Sequence, residues 1–567
     1  MKGLLAILAL ACVLASSASA GVLGGPTPYH SPSAAPDGLH AFLLRPDEPA
    51  QQYYPRTPSF AWNPVSQHGG TYDFELSISR TFNESSILYS YPGLKIPALA
   101  IEHQLPWMTG VPYALWAHVR WESANGKVVT PWSTPFGFNM RWTDSDYPQQ
   151  ESAPPGLIRW KPIEGATAYQ VLYPQLPAVT AFETTTNVAD EREFYTFRSP
   201  PAVIQWRVRA VRSVDPGSQL PNGVPVREFG PWSKLFSTPT VAQPLTATPT
   251  PTATISDTWD KPHHSPTAHE LTPAFAWSPS PAVVNQYIGP VGSSLYRIYI
   301  FTDDHCVNQV FAGSIVGSPA FAPRINGAPF QLPQDQTSLK NWESPQYPKP
   351  TGSEGRSYDA TGNPVVSSEL AESGGGAAGV AHVDLWDSGW PNGRFYWTVI
   401  PVSAELAGQP PAPGSTASQS IEYHDTAVPQ DECEAGYGMS FGKVSAPVVT
   451  AQGTPFVAGL SPDGRVVASA AKVPQVHDSP LIAWEPAIGA TSYDVELSRT
   501  KYPWKATWSK SKTPATSIVL PLGKTSVGTW WYRVRGENPW LPQNAQAMSW
   551  SAPVRIKVTG DSFVVVK

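Results

Sequence analysis

Charged residues and cysteine are both scarce in this sequence. Asp, Glu, Lys and Arg make up 14% of the 567 residues, and there are three cysteines. Charged residues usually account for about a quarter of a soluble domain. The net charge is −6, and no Lys/Arg cluster suggests a basic face. The composition therefore argues against a nucleic-acid partner or an anionic membrane surface.

Long apolar runs are also lacking beyond the N-terminus. No later segment approaches the roughly 20 apolar residues of a membrane span, so we predict no transmembrane segment after the N-terminal run. That run, Gly3 to Ala15, follows Met1-Lys2, and Ala18-Ser19-Ala20 precedes Gly21. This order is typical of a cleaved secretory signal. We predict a signal peptide at residues 1–20 and an extracellular or cell-surface location.

The three cysteines have different predicted roles. A lipid anchor at Cys12 would need Leu three places earlier, where Ala9 stands; the favoured interpretation is that Cys12 is part of the signal, with the anchor as the alternative. Removal of the signal leaves Cys306 and Cys433. In an oxidising compartment two cysteines favour one disulfide. Two buried free thiols remain the alternative, because the strand ends that carry them need not be adjacent.

Proline and glycine are abundant, at 63 and 43 residues. Such a composition favours short strands and many loops over helices. The chain is long enough for about four domains of ordinary size. We therefore predict an all-β protein with several domains.

A repeated pattern organises the chain. Leu481 to Ser498 reads LIAWEPAIGATSYDVELS, in which apolar residues alternate with polar ones on both sides of a Gly-bearing turn. Period-2 alternation of this kind predicts two half-buried strands of a hairpin. The same pattern recurs from Ser59, from Gly156, and from Ala274 with Leu295. Four copies predict a tandem array.

The second half of each copy is also repeated. An aromatic-rich strand is followed by a small-residue turn with Trp-Ser, as in YALWAHVR from Tyr113 and Trp132-Ser133. The second copy has VIQWRVR and Trp232-Ser233, the fourth has WWYRVRG and Trp550-Ser551, and the third has RFYWTVIPV with a degenerate turn.

This ordered set of a strand Trp, a Tyr on the next strand, a late aromatic strand and a Trp-Ser turn resembles fibronectin type III domains. The resemblance covers most of the chain beyond the signal. It implies tandem immunoglobulin-like (fibronectin type III-like) β-sandwiches. Members of this family mostly bind or separate other molecules, and the fold by itself names no function.

The repeat sets the expected boundaries. The strand Trp and the late aromatic lie about 50 residues apart in three copies and about 120 apart in the third, so the third copy should contain a long insertion. The predicted parts are a leader at 21–36, domain 1 at 37–142, domain 2 at 143–239, a Thr/Pro linker at 240–254, domain 3 at 255–447 with an insertion at about 319–381, and domain 4 at 448–567.

Three motifs could carry chemistry, and each has the wrong context. Gly438 to Gly442 matches G-x-S-x-G around Ser440, but no helix pattern follows it. Gly374 to Gly379 contains G-x-G-x-x-G without a strand before it or a helix after it. The histidine-rich DKPHHSPTAHE from Asp260 is extended by prolines, which separates its ligands. We predict no catalytic, cofactor-binding or metal-binding residue.

Aromatic residues remain as candidates for binding. The repeat assigns the inward-facing Trp62, Trp160, Trp277 and Trp484 to the cores. Five tryptophans have no place in the pattern and could stack on sugar rings. These glycan-binding candidates are Trp386, Trp390, Trp504, Trp508 and Trp540.

The predicted function follows from the signal peptide, the repeated sandwiches and the lack of a catalytic motif in its expected context. We predict an exported, non-enzymatic spacer, adhesion or interaction protein whose partner is a protein or glycan on a cell surface or wall. One alternative is a carbohydrate-binding or cell-wall-binding protein. Another is the accessory part of a secreted hydrolase system.

Overall fold

A computed structural model describes most of the chain. The described residues are 34–43, 52–63, 65, 70–95, 97–141, 147–174, 180–191, 194, 203–213, 227–239, 248–255, 269–270, 273–280, 295–322, 324–331, 393–406, 421–443, 457–460, 466–469, 475–477, 480–484, 486–520, 522, 526–538, 547–548 and 550–559. The predicted signal and most of the expected insertion lie outside these residues.

The protein is all-β and consists of tandem immunoglobulin-like sandwiches, as the alternating pattern predicts. Sandwich 1 pairs a three-stranded sheet with a five-stranded one. The first sheet contains β1 (His40–Phe42), β3 (Ser59–Ala61) and β6 (Ala98–Ala100). The second contains, in spatial order, β2 (Tyr53–Tyr54), β8 (Phe136–Met140), β7 (Leu115–Glu122), β4 (Thr71–Ser77) and β5 (Ile87–Leu94). A short 3-10 helix, Glu84–Ser86, precedes β5.

Sandwich 2 repeats this plan. Its small sheet contains β9 (Gln150–Glu151), β10 (Leu157–Trp160) and β13 (Val188–Asp190). Its large sheet contains β11 (Ala168–Tyr173), β12 (Thr180–Thr184), β14 (Val203–Ser213), β15 (Arg227–Phe229) and β16 (Phe236–Pro239). A strand from further along the chain, β23 (Ile325–Gln331), pairs with the edge strand β12.

Sandwich 3 has a small sheet of β17 (Pro251–Ile255), β19 (Ala274–Trp277) and β22 (Ala320–Phe321). Its large sheet contains β20 (Leu295–Phe301), β21 (Gln309–Ala312), β24 (Gly393–Leu406), β25 (Ile421–Asp425) and β26 (Met439–Lys443). A helix, α1 (Pro429–Glu434), lies between the last two strands.

Sandwich 4 has a small sheet of β27 (Val457–Leu460), β28 (Val466–Ser469), β30 (Pro480–Ala483) and β34 (Ser517–Val519). Its large sheet contains β29 (Gln475–His477), β32 (Ser492–Ser498), β33 (Ala506–Thr513), β35 (Gly528–Glu537) and β36 (Val554–Thr559). A two-residue strand, β31 (Ala487–Ile488), pairs in parallel with β18 (His269–Glu270), which lies between β17 and β19 of sandwich 3 in the sequence.

The repeated Trp and Tyr meet in every core. Their rings form an edge-to-face pair with centroids 5.4 Å apart for Trp62–Tyr72, 5.3 Å for Trp160–Tyr169, 5.4 Å for Trp277–Tyr296 and 5.5 Å for Trp484–Tyr493. All eight side chains are buried. Aromatic pairs of this geometry add roughly 0.5–1.5 kcal/mol beyond the area they bury.

Each of these tyrosines also holds the turn before its own strand. The hydroxyl accepts a hydrogen bond from a backbone N–H: Val65 to Tyr72 (3.0 Å), Ile163 to Tyr169 (2.8 Å), Ser280 to Tyr296 (3.1 Å) and Ala487 to Tyr493 (2.9 Å). The tyrosine hydroxyl therefore satisfies a buried backbone N–H of the turn. The sequence motif is thus a structural lock that occurs four times.

Sandwich 1 and sandwich 2 are joined through Arg212, whose side chain is buried. Its guanidinium donates two hydrogen bonds to the carbonyl of Leu105, at 3.0 and 2.7 Å, and others to the carbonyls of Pro55 (3.1 Å) and Gly165 (3.0 Å). It also lies over the ring of Trp107, 5.4 Å from the centroid. Buried charge requires this degree of hydrogen bonding, so the junction has one defined geometry.

Sandwich 4 contacts both of the first two sandwiches. The hydroxyls of Ser59 and Ser517 share a hydrogen bond in the interior, and Lys510 forms an ion pair with Glu102. Val211 and Phe229 of sandwich 2 belong to the same apolar cluster as the core of sandwich 4. The described sandwiches therefore pack against one another in addition to following one another along the chain.

The structure refines the third unit in two places. Pro251–Ile255 pairs with Ala274–Trp277, so the end of the expected Thr/Pro linker is the first strand of sandwich 3. Within the expected insertion, Ala320–Phe321 completes the small sheet and Ile325–Gln331 joins sandwich 2. The segment from 332 to 392 lies outside the described residues.

Candidate functional site

The solvent-facing side of the large sheet of sandwich 4 carries a cluster of aromatic and charged side chains. In β32 Tyr493, Val495 and Leu497 are buried in the core, which places Asp494 and Glu496 on the opposite face. Strand β35 pairs with β32 and shows a strict alternation of buried and half-buried residues. Adjacent strands of this kind bring their outward side chains into register.

These outward side chains form a stack of rings and guanidinium groups. The guanidinium of Arg533 lies over two indoles, those of Trp504 and Trp550, at 4.4 Å from each ring centroid. The guanidinium of Arg535 lies over the same Trp550 ring at 4.7 Å. The order is Trp504, Arg533, Trp550, Arg535, and we call this set the stacked ladder. Cation–π contacts contribute about 0.5–1 kcal/mol each at exposed sites.

Two carboxylates hold the arginines of the stacked ladder in place. Arg533 donates from Nε and Nη2 to one oxygen of Glu496, at 2.9 and 2.7 Å. Arg535 donates from Nε and Nη2 to one oxygen of Asp494, at 3.0 and 2.8 Å. Burial is the main cause that lowers the pKa of Arg533, and Glu496 opposes it. These bonds fix the planes of the guanidinium groups against the rings.

Similar stacks occur in sandwiches 1 and 2. In sandwich 1 the His118 ring lies between the rings of Phe82 and Trp132, with centroids 3.5 and 3.8 Å away, and Arg120 lies over Trp132 at 4.6 Å. In sandwich 2 Arg209 lies over Trp232 at 4.6 Å and Arg207 at 5.9 Å. Trp132, Trp232 and Trp550 are the tryptophans of the Trp-Ser turns. The stack is therefore a feature of the fold, and sandwich 4 has Trp504 at the end of its stack where sandwich 1 has Phe82.

The serines of the same turns are structural as well. The backbone N–H of Val119 donates to Ser133 Oγ at 3.1 Å, and Val208 and Val534 donate in the same way to Ser233 (3.0 Å) and Ser551 (2.9 Å). Each hydroxyl thus accepts a hydrogen bond from a backbone N–H that the strand pairing leaves without an acceptor.

The two described glycan candidates occupy different environments. Trp504 is half-buried, and its indole N–H donates to Glu496 at 2.8 Å while Arg533 covers one face. Trp508 is opposite Leu497 in the strand pairing and packs against the apolar core cluster of sandwich 4. Trp508 is therefore engaged with the core, whereas Trp504 is positioned at the surface. Trp386, Trp390 and Trp540 lie outside the described residues.

The loop between β32 and β33 exposes residues that pattern reasoning did not select. Tyr502 is 73% exposed, and Lys501 and Lys505 on either side of Tyr502 and Trp504 are exposed as well. The Lys501 ammonium lies 5.2 Å from the Tyr502 ring centroid. The signal that could have revealed this loop is its local run of cations, which the chain-wide charge of −6 conceals.

A carboxyl group with a shifted pKa lies at the end of the ladder. Burial raises the pKa of Glu537 to about 8, with further contributions from the hydrogen bond and the charge of Asp494. The cations Arg535 and Lys512 oppose the shift. The Arg535 guanidinium bridges the two acids and donates to Glu537 Oε1 at 3.2 Å. Glu537 therefore keeps its proton at neutral pH.

The other candidate residues have clear positions. Cys306 and Cys433 form a disulfide, with Cα atoms 6.1 Å apart, that ties the turn after β20 to α1. Ser440 lies within β26 and pairs with Tyr396, so it does not occupy the strand-to-helix turn of a nucleophile elbow.

Two kinds of feature are absent from the described part of the chain. Within it, no helix has the length and apolarity to cross a membrane, and no group of three or more His, Cys, Asp or Glu side chains is arranged to hold a metal. The glycine run Gly374 to Gly379 and the histidines at 263 and 264 fall outside the described residues.

Comparison with known proteins identifies no family for this chain. No family model matches the chain, and no curated protein matches it. Among solved structures, the chain is similar to a crystal structure of the FN1-FN3 domains of chicken CNTN1, with 10% sequence identity over 65% of this chain and 94% of that chain, at a TM-score of 0.15. At that score the similarity supports no further argument.

Proposed function

We propose that this chain is an exported, non-enzymatic interaction protein whose four sandwiches are fibronectin type III-like domains. The proposed domains span 37–142, 143–239, 251–447 and 448–567, with the start of the third moved from 255 to 251 so that it includes β17. Their role is to present a binding surface outside the cell to a protein or glycan.

The observation that carries this proposal is that the repeated side chains make structural hydrogen bonds within each sandwich. In each sandwich the hydroxyl of the motif Tyr accepts a hydrogen bond from a backbone N–H, as Tyr493 does from Ala487. In three sandwiches the Trp-Ser serine accepts one from a neighbouring strand, as Ser551 does from Val534. The repeated polar groups thus stabilise the fold. The sandwiches differ in the side chains on their outer faces, and binding proteins with a common fold differ from one another in their surface residues.

Contacts between sandwiches favour an interaction module over an extensible spacer. Arg212 connects the first two sandwiches by three hydrogen bonds to backbone carbonyls of sandwich 1, and Arg56 forms an ion pair with Glu164 at 2.7 Å across the same junction. A spacer works by reach, whereas buried charged contacts fix the positions of adjacent units.

The test uses the full chain and the purified protein without residues 1–20. We expect the full chain, produced in its native cell, to be found outside the cytoplasm, and the purified protein to be retained by intact cells or by isolated wall material. Retention in the cytoplasm would contradict the export, and stoichiometric labelling of Ser440 by a fluorophosphonate probe would contradict the non-enzymatic role.

A second candidate function is binding of a carbohydrate. The specific observation in its favour is the exposed Tyr502 next to Trp504, whose ring is held by Glu496 and Arg533. An aromatic ring fixed at the surface offers an apolar face to a sugar. An array of immobilised glycans probed with the purified protein and with a Trp504→Ala variant distinguishes this candidate from protein binding.

A further inference from the structure

The loop between β32 and β33, together with most of β33, has a strongly biased charge. Residues 499–512 include five cations and no acid in a chain whose net charge is −6. The five are Arg499, Lys501, Lys505, Lys510 and Lys512. A local excess of positive charge in an acidic protein attracts anionic partners.

Not all of these cations are available for a partner. Lys510 is paired with Glu102, and Arg499 lies over the Trp530 ring at 3.7 Å and donates to the carbonyl of Val527. Lys501 and Lys505 are exposed, and neither forms an ion pair within the described part of the chain. Two free ammonium groups therefore flank the exposed Tyr502 and the half-buried Trp504.

The loop is shaped by its own hydrogen bonds. The buried hydroxyl of Ser498 donates to the carbonyl of Thr500 at 2.8 Å and accepts from the backbone N–H groups of Thr500 (3.1 Å) and Lys505 (3.4 Å). The Thr500 hydroxyl donates to the carbonyl of Pro503 at 2.9 Å. A loop held in this way loses less conformational entropy when it binds.

The aromatic side chains add a second, uncharged contact. Tyr502 is 73% exposed, and Trp504 is oriented by the bond from its indole N–H to Glu496 and by the Arg533 guanidinium on one face. Rings of this kind stack on the apolar faces of sugars. Ammonium groups beside them pair with carboxylate or sulfate substituents.

We propose that Lys501, Tyr502, Trp504 and Lys505 form a binding site for an anionic polysaccharide. The site rests on the carbohydrate-binding candidate of the proposed function and narrows it to polymers that carry acidic groups. A nucleic acid is a weaker fit, because its affinity comes from neutralising many phosphates and the proposed site contains two lysines.

The experiment measures binding of the purified chain without residues 1–20 to immobilised polygalacturonate, dextran sulfate, neutral dextran and single-stranded DNA. We expect binding to at least one acidic polysaccharide, weakening with added salt, and no binding to neutral dextran. Lys501→Ala/Lys505→Ala should weaken it by about tenfold or more, equivalent to about 1.4 kcal/mol, and Tyr502→Ala by a similar factor.

The control is Lys127→Ala/Lys161→Ala, which makes the same charge change at two exposed lysines of other sandwiches. It should bind as the unmodified protein does, and all variants should keep the same melting temperature. An equal loss in the control, or tighter binding to DNA than to polygalacturonate, would overturn the site.

Absence of binding to every acidic polysaccharide would also overturn it. In that case retention by cells or wall material tests the proposed function independently: if retention persists in Lys501→Ala/Lys505→Ala, the protein has a different partner.

Discussion

The carboxylate of Asp190 accepts a hydrogen bond from the Arg324 guanidinium at 2.7 Å, with both side chains fully enclosed, at 0% and 2% exposure. Asp190 lies in β13 of sandwich 2, whereas Arg324 directly precedes β23, the strand that extends the sheet of sandwich 2. The second carboxylate oxygen accepts from the backbone N–H of Ala322 at 2.8 Å. One buried ion pair thus fastens a segment of the third unit to the second.

Removing one member of this pair should be costly. Arg324→Ala leaves the Asp190 carboxylate buried without its main counter-charge, for which we expect a loss of about 3–5 kcal/mol in local stability. The loss should appear as faster amide hydrogen exchange in β12 and β23, measured under native conditions.

A matched control is Arg159→Ala, because Arg159 pairs with Glu151 at 3.5 Å while both side chains are about a third exposed. Exposed pairs contribute about 0–1 kcal/mol, so exchange in β12 should hardly change. If Arg324→Ala behaves like this control, the buried pair does not hold β23 in place.

The junction between sandwiches 1 and 2 depends on a glycine. Gly165 has a φ of +86°, and a Cβ at this position would lie 1.9 Å from the carbonyl oxygen of Pro55. Gly165→Ala should therefore disrupt the contact between sandwiches 1 and 2 and destabilise it by roughly 2–4 kcal/mol. Calorimetry should then show the two sandwiches unfolding in separate transitions.

The appropriate control is Gly93→Ala, since Gly93 also has a positive φ, +75°, but a Cβ there meets nothing within 4 Å. It shares the backbone strain, about 1–2 kcal/mol, without the collision. Equal effects of the two substitutions would mean that strain alone, and not the contact with sandwich 1, explains Gly165.

The sequence predicts the interior of each sandwich well. Trp484 and Tyr493 lie at alternate positions of two neighbouring strands, and alternation depends only on local geometry. The structure buries both, and it does the same for their counterparts. The all-β class and the sandwich architecture follow from this pattern.

The contacts between sandwiches could not be predicted in the same way. Arg212 lies on a strand where a charged residue normally faces water, and its partners are backbone carbonyls such as that of Leu105, which carry no sequence signal. Of the proposed surface site, the sequence singles out Trp504, because it has no place in the repeat. Tyr502 was missed because one exposed tyrosine in a loop has no periodicity.

Stability of sandwich 4 should depend on pH through Glu537. Burial raises its pKa to about 8 from the ordinary value of 4.5, so between these pH values the folded state holds a proton that the unfolded state has lost. The free energy of unfolding must then fall as pH rises from about 4.5 to about 8. One pKa unit corresponds to about 1.4 kcal/mol of unfolding free energy. Because Glu537 is partly exposed, we expect the free energy of unfolding to fall by about 2 kcal/mol in total over this pH range.

Glu537→Gln tests this directly, because the amide keeps the shape of the protonated acid and cannot ionise. The variant should show a flat stability profile across this pH range in urea titrations of sandwich 4. Glu422→Gln, at a side chain that is 60% exposed, should keep the slope. A slope that survives in Glu537→Gln would assign the pH dependence to another group.

The disulfide should make sandwich 3 the only redox-sensitive unit. Cys306 and Cys433 close a loop with a sequence separation of 127, and no other cysteine follows residue 12. Closing a loop of this length stabilises by roughly 4–5 kcal/mol on the chain-entropy model. A non-reduced digest should contain the two peptides joined, and reduction should lower the melting of one unit while the remaining units change little. Alkylation of both thiols in the native, unreduced protein would contradict the bridge and leave packing alone to close the loop.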